Sequence, residues 1–130
     1  MGKEVSLTFR GFEKSPSEVV NLIGVEPSYI GTKGDPVKPG VKTLLRRSAV
    51  KFTVSFKEEV RLAEMIPAIL EYVGGVNHMR KVSDVIKPEF IEVNLVLPVK
   101  YSEEQEGGSI DSKHLGALNA IGASLSFEFL

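Results

Sequence analysis

The chain has 130 residues, of which 25% are charged and 42% apolar, with a formal net charge of −1; this is the size and balance of one ordinary globular domain, spanning residues 1–130. So small a net charge supplies no attractive field for DNA, RNA or an anionic membrane surface. The absence of cysteine excludes a thiol nucleophile, an iron–sulfur cluster and a thiolate zinc site, and it fits a cytoplasmic protein.

Taken in chain order, "EVSLTFRG" alternates apolar and polar residues with the period of a half-buried strand, sending Val5, Leu7 and Phe9 inward. "SPSEVVNLIG" follows as a complete short helix: Ser15 caps it, Pro16 takes the first position, Glu18 closes a capping box and Gly24 ends it. The stretch "GTKGDPVKPGVKT", Gly31 to Thr43, superficially resembles a phosphate loop. It fails on spacing. Val41 separates Gly40 from Lys42, and Pro36 and Pro39 remove two backbone N–H donors. It reads as a turn, within which Lys33 and Asp35 remain candidates for contact with a partner. Next, "TLLRRSAVKFTVSF" leads into a second strand with Val50, Phe52, Val54 and Phe56 inward.

Two helical stretches fill the centre. "KEEVRLAEMIPAILEYVGG" places Leu62, Ile66, Ile69, Leu70 and Val73 on one stripe, and Pro67 predicts a kink or a break into two short helices. "VNHMRKVSDVI" aligns Val76, Met79, Val82 and Ile86. "FIEVNLVLPV" is a third strand, with Ile91, Val93, Leu95, Leu97 and Val99 inward. The acidic run "YSEEQEGGSID" lacks the alternating ligands of a calcium loop and reads as a solvated loop. "DSKHLGALNAIG" is a helix capped by Asp111, with Leu115, Leu118 and Ile121 inward, and "ASLSFEFL" is a fourth strand with Leu125, Phe127 and Phe129 inward.

One-faced strands and capped helices predict an α+β two-layer sandwich, its four-stranded, mostly antiparallel or mixed sheet covered by helices on one face. "EVSL" and "EVNL" each open a unit whose helix ends in Ile-Gly. They suggest a ferredoxin-like β-α-β duplication with the middle helical pair inserted.

The helix "SPSEVVNLIGVEPS" with "KGDP" behind it, the long helical pair, "IEVNLVLPV" and the closing "LGALNAIGASLSFEFL" resemble the family of domain of unknown function 4279. The likeness runs from Val5 to Leu130. Its sharpest local feature is the turn of Ile23, Gly24, Glu26 and Pro27, followed by Lys33-Gly34-Asp35-Pro36. The second strand departs from the family, having no tryptophan in "TLLRRSAV". The resemblance implies a bacterial α+β protein and supplies no mechanism.

For chemistry, the pair Asp111 and His114 is an acid–base couple by type, but capping and a surface ion pair already account for both residues. His78 lies beside Arg80 and Lys81 without a second ligand at metal spacing. Neither catalytic residues, a metal site nor a cofactor is predicted. The polar sheet face carries Ser6, Thr8, Arg10, Lys51, Thr53, Ser55, Glu92, Asn94, Val96, Ser124, Ser126 and Glu128. That set holds no aromatic for base stacking and balances its charges, so nucleic acid is not expected. The basic residues Arg46 and Arg47 complete the candidates, and strand alternation allows one of the two to reach this face. The reading favoured is a non-catalytic domain binding another protein, regulator- or immunity-like by analogy, through Lys33, Asp35, Arg10, Lys51, Arg46 or Arg47. A homodimer is an allowed variant. The alternative is a small-molecule-binding regulatory domain, recognisable by a concave apolar pocket with a few convergent polar groups. An enzyme is the third.

Overall fold

The computed structural model describes residues 2–57, 59–98 and 108–130. Val99 and the acidic residues Glu103, Glu104 and Glu106 lie outside the described residues. The elements run β1 (Glu4–Arg10), α1 (Pro16–Ile23), β2 (Tyr29–Gly31), β3 (Ala49–Ser55), α2 (Leu62–Tyr72), α3 (Val76–Ile86), β4 (Phe90–Leu97), α4 (Ser112–Ile121) and β5 (Ser124–Phe129).

Local chemistry explains where the helices begin and end. Ser15 Oγ accepts from the Glu18 backbone N–H at 3.2 Å and donates to Glu18 Oε1 at 3.3 Å. Pro16 opens α1 where no N–H is needed, and Gly24 closes it at φ 89°. At α4, Asp111 Oδ1 accepts from the His114 backbone N–H at 3.0 Å. Pro67 neither breaks α2 nor divides it: the helix is continuous from Leu62 to Tyr72. The lost N–H bond to the Ala63 carbonyl and the crowding of the proline ring cost about 3 kcal/mol, which the buried stripe of Met65, Ile66, Ile69 and Leu70 offsets by holding the helix to the core.

The sheet has five strands, not four, in the order β2-β3-β1-β4-β5. β1 pairs antiparallel with β3 and β4, β2 pairs antiparallel with β3, and β5 runs parallel to β4. The expected halves are therefore redrawn. α2 and α3 are no insertion between repeats; together they carry the chain from β3 to β4, on opposite sides of β1. β2 has only three residues, too few to display a period.

Val5, Leu7 and Phe9 of β1 are fully buried, as are Val50 and Phe52 of β3 and Val93 and Leu95 of β4. α1 packs on β3, and α2 on β1 and β3, so these residues form the core with Val19, Met65, Ile69, Val73 and Met79. On the other side Ser6 and Thr8 are buried as well. Their short side chains stand in the middle strand between longer neighbours, Thr53 and Lys51 on β3 and Asn94 and Glu92 on β4.

Three inward assignments fail at the β5 edge. Phe127 and Phe129 are 45% and 61% exposed, although they share a face with Leu95 and Leu97. Leu115 of α4 is 46% exposed. α4 touches α3 and β5 and buries only Leu118 and Ile121. Helical cover thins out at this edge, and the two phenylalanine rings stack on each other instead, centroids 6.3 Å apart.

Candidate functional site

Register brings the site together. Across the polar side of the sheet, Gly31, Ala49, Arg10 and Phe90 stand side by side on β2, β3, β1 and β4. The next row is Tyr29, Lys51, Thr8, Glu92 and Ser124. Long side chains thus alternate with short ones, leaving a hollow over Ala49 and Thr8. This is a cleft of about 530 Å³, floored by Thr8, Ala49 and Ser124 and walled by Arg10, Tyr29, Phe90, Glu92 and the segment Leu45–Arg47.

Two glycines shape the walls. Gly31 leaves room for Tyr29: a Cβ at position 31 would lie 2.5 Å from the Tyr29 hydroxyl and 3.1 Å from Leu45 Cδ1. Gly11 terminates β1 in the left-handed region at φ 77°, and a Cβ there would stand 2.8 Å from three Glu89 side-chain carbons. Glu89 lies across that glycine, and its Oε2 accepts from Arg47 Nε at 2.8 Å. The Arg47 guanidinium in turn covers the Phe90 ring, 5.2 Å from its centroid. Both partners of the ion pair are about half exposed, so its contribution is to orientation more than to stability. Gly11→Ala is expected to cost about 1–3 kcal/mol of backbone strain and to displace Glu89. Urea denaturation measures the first effect. The second appears as increased solvent accessibility of the Phe90 ring.

The candidates from sequence separate clearly. Arg10, Arg46 and Arg47 meet in the cleft. The expectation that only one of Arg46 and Arg47 reaches this face is wrong, because they precede β3 in a bend where strand alternation does not apply. Lys51 lies in the second row, next to Tyr29 and Thr8. Lys33 lines a second, smaller cavity of about 260 Å³ on the far side of Arg46 and Arg47, together with Ser15, Ser48 and Glu89. Its backbone N–H donates to Ser48 Oγ at 3.0 Å. Asp35 lies apart from both cavities, in a hairpin closed by Leu45 N–H to Asp35 O at 2.8 Å and Val37 N–H to Thr43 O at 2.9 Å.

Tyr29, Leu45 and Phe90 were not foreseen. The polar face does carry aromatics, contrary to expectation, both at its Arg10 end. For Phe90 a signal existed: counting back two residues from the outward Glu92 places it on this face. For Tyr29 none existed, since its strand is too short to show alternation. Among the described residues the ion pairs are Lys14–Glu18, Arg47–Glu89 and His114–Asp111; Arg10, Arg46 and Glu92 enter none of them. No group of three or more histidine, aspartate or glutamate residues among the described ones is placed to hold a metal ion. Asp111 and His114 meet at 2.8 Å on the first turn of α4, outside the cleft. The His78 ring Nε2 lies 3.0 Å from the Ile23 carbonyl and ties α3 to the end of α1.

A mixed, open five-stranded sheet with four helices, carrying a cleft at one end of its polar face, defines the chain as an α+β domain. It belongs to the family described as domain of unknown function (DUF4279), whose family model matches residues 2–129. No curated protein and no solved structure matches it. No helix among the described residues is long and apolar enough to cross a membrane.

Proposed function

We propose that this chain is a non-catalytic, regulatory binding domain that takes a small organic anion in the cleft at the Arg10 end of the sheet. One observation carries the reading: Arg10 and Arg46 both line the cavity of about 530 Å³, and neither is ion-paired among the described residues. A guanidinium stays charged at any physiological pH, and its flat fork of N–H donors matches a carboxylate or phosphate. The volume lies within the range of roughly 300–1,000 Å³ typical of small-molecule sites, and apolar walls with a few convergent polar groups are their usual make-up. The alternative is a protein partner whose acidic side chains engage the same arginines. The non-catalytic part of the reading is supported by Asp111, whose carboxylate caps α4 and pairs His114 there.

The scaffold proposed with it is a two-layer sandwich. β2-β3-β1-β4 has the order and directions of a ferredoxin-like β-α-β-β-α-β unit, with α2 and α3 together in the second crossover and α4-β5 appended.

The test is thermal denaturation against a panel of small carboxylates and phosphates. At least one is expected to raise Tm saturably, as binding to the native state alone requires. Arg46→Ala should weaken that ligand about tenfold, the value of one charge-assisted hydrogen bond, without changing Tm in its absence. A flat Tm across the panel, together with a captured protein lost in the same variant, would replace the small anion by a protein partner.

A further inference from the structure

We infer that the ligand of this cleft is zwitterionic, an amino-acid-like molecule with a flat or apolar side chain, its carboxylate held by Arg10 and Arg46 and its ammonium by Glu92. The inference deepens the binding reading above and rests on it.

Glu92 is the observation that narrows the chemistry. It is half-buried, lines the same cleft as the arginines, and stands between Thr8 and Ser124 in its cross-strand row. Among the described residues its carboxylate makes no ion pair. Arg10 is within reach: it faces Phe90, and Glu92 is two residues further along β4. Such diagonal neighbours lie roughly 7–8 Å apart, close enough for a long arginine and a glutamate to join. They stay separate. The cleft therefore holds opposite charges a short distance apart over a floor of small side chains, Ala49 and Thr8.

A ligand carrying only negative charge would satisfy the arginines while facing Glu92 across the hollow, a like-charge contact that opposes binding. A molecule with adjoining carboxylate and ammonium groups satisfies both ends at once. Around those charges the walls are apolar: the rings of Tyr29 and Phe90, 46% and 52% exposed, and the side chain of Leu45. A flat or branched hydrocarbon side chain would cover them. Arg47 takes no part in charge recognition, because Glu89 and the Phe90 ring already hold it.

The experiment is isothermal titration of the full chain with L-phenylalanine and L-leucine, each against its des-amino acid, 3-phenylpropionate and 4-methylpentanoate. At least one amino acid should bind at least about tenfold more tightly than its des-amino counterpart, the worth of one charge-assisted contact. Glu92→Gln keeps the size and removes the charge. It should abolish that preference while leaving 3-phenylpropionate bound as well as before or better. Equal binding of the two members of each pair, or a preference that survives Glu92→Gln, would overturn the zwitterion and leave the anion-binding reading standing. Binding of a phosphate or a plain carboxylate from the panel, with no amino acid bound, would do the same. If no small anion binds in either experiment, both readings fall.

Discussion

Phe52→Ala is expected to lower the unfolding free energy by about 3–5 kcal/mol. Phe52 is fully buried on β3, opposite Leu7 of β1, with α1 and α2 packed on its strand. Removing the ring takes away its transfer free energy. It also leaves a cavity that the surrounding β1 and β3 side chains cannot close without shifting the sheet ladder. Against a total stability of about 5–15 kcal/mol for a domain of ordinary size, the loss is a large fraction of what holds the fold. Urea denaturation checks it: the midpoint should fall while the slope stays constant. The matching change on the polar face, Lys51→Ala, should stay within about 0.5 kcal/mol of the parent. A cost below about 1 kcal/mol for Phe52→Ala would mean that the Phe52 ring does not lie on the packed side of the sheet.

Arg10→Glu should abolish ligand binding, lowering affinity at least about a hundredfold. Two effects add. The substitution removes a guanidinium from the wall of the cleft, and it sets a second carboxylate diagonal to Glu92, turning the electrostatic preference of the site toward cations. The fold should survive, because Arg10 is exposed at the end of β1 and has no ion-pair partner among the described residues to abandon. Equal Tm values for the two proteins, together with lost titration heat in the variant, would establish that the effect is local. Retained affinity would place the anion elsewhere, with the cavity beside Lys33 the next location to examine.

Strand alternation in β1, β3 and β4 was legible because each has seven or eight residues, enough to show a period of two. The caps at Ser15, Gly24, Asp111 and Gly122 were legible because a cap involves one residue and a hydrogen bond three or four positions away. Candidate site residues were half legible. Arg10, Arg46 and Arg47 stood out as charges, but nothing in their spacing says that positions 10, 29, 46, 47, 90 and 92 converge.

By itself, then, the sequence determined the element types, most of the buried face and the lack of thiol chemistry, all of which follow from backbone periods and composition within a few residues. The tertiary structure decided the rest. β2 exists because β3 offers it an unpaired edge; both arginines face the cleft because they sit in a bend before β3 begins; Phe127 and Phe129 lie open because α4 covers only part of its edge. Each of these depends on which strands are neighbours and in what register, a long-range relation that no local period records.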